Sequence, residues 1–244
     1  MKVVAIGTSC TWFERNNTSF LIDDEIVFDM PAGNYKPLIK YLGIENVSKI
    51  KCILISHFHS DHFSDFHILT TRLNRETNPK EKYVAYGPTG ILDRLLEYNR
   101  VCCGSEDELN RNQQTKNIDF FELHDGKEFK IGKYNVVAYE MSHGGVETYG
   151  FTFDDGKVVV GFSSDTAPCE NLNKILRKSN YVFIDVAAMT PHKAHICIDQ
   201  FEKIVKDYPN VKFYPIHTSN QTYDYLKEKG YAVVNDNDKL IITE

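Results

Sequence analysis

Short apolar segments alternate with amphipathic segments along the whole chain. Some of the apolar segments are nearly continuous, as expected for strands that are covered on both faces. Others alternate apolar and polar residues, which is typical of half-buried strands. Together these segments predict strands at residues 2–7, 51–56, 83–87, 134–143, 180–186 and 211–217.

Paired apolar runs around short turn-forming segments predict three hairpins. The first spans residues 19–29 and turns at Asp23 and Asp24. The second spans residues 149–162 and turns at 154–156, and the third spans residues 231–243 and turns at 235–238.

Helical spacing of apolar residues appears between the strands, so each half of the chain carries β–α units preceded by a hairpin. This order predicts an α/β protein with two packed sheets and helices outside them. One domain is expected to span residues 1–244. The predicted helices are at 63–75, 88–97, 171–178 and 198–207.

Composition narrows the class of protein. The 244 residues are 42% hydrophobic, which suits one globular domain with a substantial core. No apolar stretch approaches the roughly 18 residues that span a bilayer, and the first residues indicate a strand instead of a signal peptide. Six cysteines without CxxC spacing favour reduced thiols and the cytoplasm. A net charge of −6 argues against stable nucleic-acid binding, although a local basic patch stays open.

Histidines and aspartates cluster where the apolar strands end. Strand ends hold side chains rigidly, and open α/β sheets place their sites there. Imidazole and carboxylate groups suit zinc, manganese or iron, and seven such ligands are about right for two ions. The seven candidates are His57, His59, Asp61, His62, His143, Asp165 and His217.

Simpler explanations exist for single residues of this set. Asp61 could merely place charge at the N-terminus of the following helix, and a lone histidine at a strand end usually only forms a hydrogen bond. His67 and His124 match no ligand position and are interpreted as structural.

The run HFHSDH, residues 57–62, resembles the HxHxDH signature of the metallo-β-lactamase-fold hydrolases. The resemblance implies a four-layered αβ/βα sandwich with a dinuclear site between its halves and a bridging hydroxide as the nucleophile. Two divalent ions are implied, with Zn²⁺ as the first choice and Mn²⁺ or Fe²⁺ as alternatives. By the same resemblance, His57, His59 and His143 bind one ion, Asp61, His62 and His217 bind the other, and Asp165 bridges them.

Longer segments resemble the ribonuclease Z-like branch of this family. They are GTSCTWFERNNTSFLI, YGPTGILDRLL, SSDTAPCENL and HICIDQFEKI, so the similarity covers nearly all of residues 3 to 243. The branch implies phosphodiesterase chemistry, in which two metals bind the phosphate oxygens. A homodimer is also implied, because relatives commonly form one.

Two departures separate the chain from tRNA-processing members of the branch. Those enzymes carry a long arm, rich in glycine and proline, near the hairpin before the bridging aspartate. Here that hairpin turns on residues 154–156 alone. The acidic His-Glu-Ala-Thr motif of the family is replaced by DVAA at 185–188, so its glutamate is absent.

His195 matches the family's later histidine and is the candidate general acid, because imidazole can protonate a leaving alkoxide near neutral pH. Asp185 could substitute for its missing carboxylate partner, and His192 is the weaker competitor. The simpler alternative is a surface histidine near a helix N-terminus. The candidate catalytic residues are thus His195 and the metal ligand Asp61.

An acidic chain without the arm is expected to prefer a small phosphodiester. The branch contains phage and bacterial phosphodiesterases that destroy the cyclic mononucleotide signals of Pycsar defence, and they resemble this chain in size and in lacking the arm. The sequence therefore predicts a dinuclear cyclic nucleotide phosphodiesterase. The alternatives are a ribonuclease Z-like nuclease that processes RNA 3′ ends, a lactonase or thioester hydrolase, and a noncatalytic metal-binding or nucleic-acid-binding module.

Several aromatic residues near the candidate ligands could stack on a base. Core packing is the more common role for any one of them. They are Trp12, Phe13, Phe58 and Tyr149.

Overall fold

Two facing sheets form the centre of the protein in the computed structural model, which describes residues 1–76, 82–103 and 115–244. In the described residues the first sheet has the order β13-β1-β2-β3-β4-β5-β6, and the second has the order β12-β11-β10-β9-β8-β7. Strands of the first sheet are β1 (Lys2–Gly7), β2 (Ser19–Ile22), β3 (Ile26–Phe28), β4 (Cys52–Leu54), β5 (Tyr83–Gly87), β6 (Ile118–Glu122) and β13 (Lys239–Ile241). Those of the second are β7 (Glu128–Ile131), β8 (Tyr134–Glu140), β9 (Tyr149–Asp154), β10 (Val159–Phe162), β11 (Tyr181–Asp185) and β12 (Lys212–Ile216).

Helices cover the outer face of each sheet. Helices α1, α3 and α4 pack on the first sheet, and α5, α6 and α7 pack on the second. The layers therefore follow the order α/β/β/α. The helices are α1 (Tyr35–Leu42), α2 (Ser60–Phe63), α3 (Phe66–Glu76), α4 (Ile91–Cys103), α5 (Glu170–Lys178), α6 (Ile198–Asp207) and α7 (Asn220–Glu228), and a 3-10 helix spans Ile44–Lys49.

The nearly continuous apolar runs follow from this layering. In β4, Cys52 and Leu54 pack between the sheets, whereas Ile53 packs under the helices of the first layer. Because both faces are covered, each position along the strand has to be apolar. The layer between the sheets is rich in phenylalanine, and the rings of Phe162 and Phe183 stack with centroids 4.7 Å apart. The predicted pair of sheets with outer helices is confirmed.

Strand direction brings the functional loops to one end of the molecule. The strands β3, β4, β5 and β6 run parallel, as do β10, β11 and β12. The hairpin of β9 and β10 is closed by residues 155–158, where Asp155 accepts hydrogen bonds from the backbone of Lys157 and Val158. No longer insertion separates these two strands.

The helix predictions need two adjustments. The helix expected at 63–75 is divided into α2 and α3, and at the break the Asp65 backbone N–H donates to the Met30 carbonyl instead of a carbonyl of the helix. The helix expected at 88–97 begins later, at Ile91, after Gly90 adopts a positive φ of 79°, and it extends to Cys103.

The third predicted hairpin, at 231–243, is wrong. Only β13 forms there, and it pairs with β1 at the edge of the first sheet. Residues 231–234 form no strand, and beyond them the Asp236 carboxylate accepts hydrogen bonds from the Asn16 backbone and Thr8. The assignment of residues 1–244 to one domain stays a prediction. None of the described helices has the length and apolarity required to cross a membrane.

Candidate active site

A cleft of about 290 Å³ opens where the strands end. Its floor holds the histidines and aspartates that follow β4, β8, β10 and β12, and its walls are the loop at residues 10–12 and the loop at residues 187–195. All seven ligands predicted from the sequence take part in groups of side chains whose nitrogen and oxygen atoms lie within 4.8 Å of one another. The strand-end pattern therefore located the cluster.

The first group combines His57, His59 and His143. His57 and His143 are buried, and His59 is exposed at the mouth of the cleft. The Nε2 atom of His143 lies 3.2 Å from Nδ1 of His59. Three imidazoles from two strand ends thus converge on one point.

The second group combines Asp61, His62 and His217. Oδ2 of Asp61 lies 3.4 Å from Nε2 of His217 and 3.9 Å from Nε2 of His62. His217 adopts a positive φ of 55°, which is uncommon for a residue with a side chain and directs it from the end of β12 into the cluster.

Asp165 lies between the two groups. Its Oδ1 atom is 3.4 Å from Nε2 of His62. Its Oδ2 atom is 3.4 Å from Nε2 of His217, 3.7 Å from that of His143 and 3.8 Å from that of His57. One buried carboxylate therefore contacts histidines of both groups.

Buried hydrogen bonds fix which nitrogen each histidine offers to the cleft. Nδ1 of His143 donates to the Ala194 carbonyl at 3.0 Å, and Nδ1 of His62 donates to Asp29 at 2.7 Å. Nδ1 of His57 is 3.0 Å from the hydroxyl of Ser56. With the proton on Nδ1, Nε2 carries a lone pair, which is the form of imidazole that binds metals.

Asp29 organises this backing layer. It is fully buried and follows β3, and it accepts hydrogen bonds from the Ser56 backbone at 2.7 Å and the Ser56 hydroxyl at 2.8 Å. Because that hydroxyl donates to Asp29, it accepts from Nδ1 of His57. Sequence reasoning missed Asp29, although its position directly after a strand was the available signal.

The cluster fits divalent metal ions. The buried Nε2 atoms of His57 and His62 have no hydrogen-bond partner within the described residues, and such an unsatisfied buried group costs about 1–3 kcal/mol. Burial lowers the pKa of His57 well below its ordinary value and so keeps its lone pair free. Burial would raise the pKa of Asp165, but His217 and His62 hold this pKa well below its usual range. Imidazole nitrogens around an ionised carboxylate suit zinc, manganese or iron.

His195 lies beside the cluster and lines the cleft. Its Nδ1 atom is 2.8 Å from Oδ2 of Asp185, so the substitute carboxylate considered from the sequence does contact it. Burial would lower the pKa of His195, but the charge of Asp185 raises it to about 9. Asp185 is itself held by the backbone amides of Thr166 and Ala187. His192 is exposed, and its Nδ1 accepts from the Ala194 backbone.

Other singled-out residues lie away from the cleft. His67 contacts the Ser64 carbonyl at 2.7 Å through Nδ1, and His124 contacts the neighbouring Asp125 carbonyl. Tyr149 is buried between the sheets and donates to a backbone carbonyl, so it has a core role.

Comparison with known families now identifies the chain. Residues 27–218 match the model of the Lactamase_B_2 family, described as a beta-lactamase superfamily domain. The protein belongs to the beta-lactamase superfamily. This superfamily member is 27% identical over 148 residues to ribonuclease Z of Archaeoglobus fulgidus, and 29% identical over 147 residues to ribonuclease Z of Pyrococcus abyssi. Each match covers 58% of this chain but only 44% and 43% of the relatives, less than half their length.

Solved structures share the fold at low identity. Human tRNase Z, short form, aligns with a TM-score of 0.76 at 16% identity over 100% of both chains. A diphosphatase from the PhnP family aligns with a TM-score of 0.74 at 16% identity, over 99% of this chain and 98% of the other. The metallo-beta-lactamase fold protein YhfI of Bacillus subtilis reaches 0.76 at 12% identity over 98% of both chains. The expected four-layered αβ/βα sandwich is confirmed. The ribonuclease Z relatives support the predicted branch of the superfamily.

Proposed function

We propose that this superfamily member is a phosphodiesterase that holds two divalent metal ions, Zn²⁺ in the first place, and hydrolyses a cyclic nucleotide. The position of Asp165 carries the proposal. Its two carboxylate oxygens contact histidines of both ligand groups at 3.4 to 3.8 Å, as a carboxylate shared by two ions requires. One ion would be held by His57, His59 and His143, and the other by Asp61, His62 and His217.

The chemistry divides between the ions and the chain. When bound, the ions supply Lewis acids for the phosphate oxygens and an activated water. The chain orients the substrate's leaving oxygen toward His195, whose ring lines the cleft. Asp185 holds a proton on Nδ1 of His195 and favours the charged imidazole, so the opposite nitrogen can protonate the leaving alkoxide. Thr11 donates to Asp61 at 2.5 Å and fixes that carboxylate.

A small substrate agrees with the shape of the cleft. Its volume of about 290 Å³ lies at the lower end of ligand pockets, which range over roughly 300–1,000 Å³. The short closure of the β9–β10 hairpin and the net charge of −6 offer no extended grip for a folded RNA.

Processing of RNA 3′ ends is the second candidate function. The similarity to two archaeal ribonuclease Z sequences favours it.

One experiment separates these activities. The protein is stripped, reconstituted with Zn²⁺ or Mn²⁺, and offered cyclic mononucleotides, cyclic dinucleotides, a precursor tRNA, a lactone and a thioester, with product identification. Hydrolysis of a cyclic nucleotide at least tenfold faster than the other classes is expected, and Asp165→Asn serves as the inactive control. Comparable or faster cleavage of the tRNA 3′ trailer, or of an acyl substrate, would overturn the proposal.

We further propose a homodimer, by family resemblance, and a cytoplasmic location. Free thiols support a reducing compartment, since the described cysteines Cys10, Cys52, Cys102, Cys169 and Cys197 are unpaired. Light scattering of the purified protein tests the dimer, and a monomer at micromolar concentration would contradict it. Cell fractionation tests the location.

A further inference from the structure

Trp12 is the only tryptophan of the chain, and 86% of its surface is exposed. Isolated exposed apolar residues are common on proteins and alone carry no meaning. Trp12 differs by its place, because it lines the cleft together with the metal-ligand candidates His59 and Asp61. A large, unburied aromatic surface thus stands at the entrance of the candidate active site.

The loop that carries Trp12 is held in position. Its base is closed by hydrogen bonds from the Ser9 backbone to the Asn16 carbonyl and from the Thr18 backbone to the Ser9 carbonyl, each 3.0 Å long. The residue just before Trp12, Thr11, donates to the carboxylate of Asp61 at 2.5 Å. The backbone of Trp12 is therefore fixed relative to the site, which limits the entropy lost when its ring binds a ligand.

The wall formed by the loop at residues 187–195 carries small and planar side chains. It includes Ala187 and Ala188, whose side chains are small, and the imidazole rings of His192 and His195. In a cyclic nucleotide the ribose separates the phosphate from the base. A phosphate held between the two ligand groups would therefore present its base toward the rim, where Trp12 lies.

We propose that Trp12 binds substrate by stacking its indole on the nucleobase, and so selects nucleotides over other small phosphodiesters. This inference rests on the proposed function. Stacking of a base on an aromatic side chain contributes about 1–3 kcal/mol and tolerates every base, because each has a flat π-face. Trp12 therefore gives preference for a base without choosing which one.

Kinetics of variants provide the first test. Trp12→Ala should raise KM for a nucleoside 3′,5′-cyclic phosphate by about 5- to 140-fold, which is the stacking energy converted at 1.4 kcal/mol per tenfold. Trp12→Phe keeps an aromatic face and should show only a small part of this rise in KM. The base-free 1-O-methylribose 3′,5′-cyclic phosphate should be hydrolysed equally by wild type and Trp12→Ala.

Ile241→Ala is the matched control, since Ile241 is also apolar and 68% exposed. It pairs with Lys2 at the beginning of β1, whereas the loop of Trp12 follows the end of that strand. Ile241→Ala should leave the kinetics on both the nucleotide and the base-free diester unchanged. An equal loss on the nucleotide and the base-free diester in Trp12→Ala would overturn stacking, because the indole would then support the site itself.

Intrinsic fluorescence tests the inference independently of turnover. All tryptophan emission comes from Trp12, so a nucleoside 5′-monophosphate that stacks on it should change the emission saturably, while ribose 5-phosphate should not. If wild type cleaves no phosphodiester, the proposed function fails, and this titration still decides the role of Trp12. A nucleotide that inhibits or binds, by calorimetry, without changing the emission would refute the stacking.

Discussion

Asp29→Asn should weaken both metal-binding groups, although Asp29 belongs to neither. The substitution keeps the size of the side chain, and asparagine tolerates the left-handed backbone that Asp29 adopts at φ 57°. Only one carboxylate oxygen is exchanged for an amide NH₂. The effect therefore reports the hydrogen bonds and the charge of the carboxylate, and not packing.

The consequence follows from the partners of each oxygen. Oδ1 accepts from the Ser56 backbone, whereas Oδ2 accepts from the Ser56 hydroxyl and Nδ1 of His62. Suppose that the amide oxygen of the new side chain keeps the hydrogen bond from the Ser56 backbone. The amide NH₂ group then faces two groups that donated to the carboxylate, the Ser56 hydroxyl and Nδ1 of His62. His62 must then accept on Nδ1 and carry its proton on Nε2, and the hydroxyl of Ser56 must turn toward Nδ1 of His57. His57 and His62 then carry their protons on Nε2, and neither nitrogen can bind a metal ion.

Loss of such a supporting hydrogen bond lowers metal affinity by about 10–100-fold, or about 1.4–2.7 kcal/mol. The loss should appear at both sites in Asp29→Asn. Ser56→Ala is the matched comparison, because it removes the contact to His57 but leaves Asp29 bonded to His62. It should weaken one site only. Competition with a chromophoric zinc chelator measures both affinities, and circular dichroism confirms the fold.

Wild-type affinity at both sites in Asp29→Asn would show that Asp29 does not control the two histidines. It would mean that the ring orientation of His62 and His57 is set by packing alone. An equal loss in Asp29→Asn and Ser56→Ala would instead show that the path through Ser56 dominates, and the direct contact to His62 would lose its assigned role.

Three further predictions concern the carboxylates and His195. Asp165→Ala should lose at least one ion per chain by metal analysis and nearly all activity, and full activity would show that Asp165 is not shared. His195→Ala should lower kcat on a cyclic nucleotide by roughly 10²–10⁴-fold with both ions retained. The loss should be smaller on a p-nitrophenyl ester, because its leaving group hardly needs a proton. Equal losses on the two substrates would exclude a general-acid role for His195. In the metal-free protein, NMR should show the His195 pKa near 9, and Asp185→Asn should return this pKa toward 6.5. The stability from this pair is full below about pH 6.5 and is lost as pH rises through about 9; an unchanged titration in Asp185→Asn would contradict the pairing.

Local pattern was enough to predict most strands and the cluster of histidines and aspartates in the cleft. The β4 segment is apolar at every position because two layers cover it, and that pattern is visible without its neighbours. The ligand candidates were equally visible, since each comes after the end of a predicted strand. Parallel pairing of β3–β6 and β10–β12 then brings those ends together.

The remaining features depend on contacts between distant residues. Asp29 gains its role from Ser56 and His62, which lie 27 and 33 residues away in sequence. Residues 231–234 have an apolar pattern that predicts a strand, but Asp236 is bound to the loop around Asn16, and Val234 enters the core without pairing. No local pattern reports such contacts.

Metal titration coupled to turnover measures how many ions the site needs for hydrolysis. Metal-free protein receives increasing Zn²⁺ or Mn²⁺ per chain while hydrolysis of a cyclic nucleotide is followed and bound metal is measured. Because Asp165 lies between two groups of candidate ligands, we expect activity to rise until two ions are bound per chain and then to stay constant. Full activity with one bound ion would exclude a dinuclear site, and two bound ions without hydrolysis of any cyclic nucleotide would exclude the proposed activity.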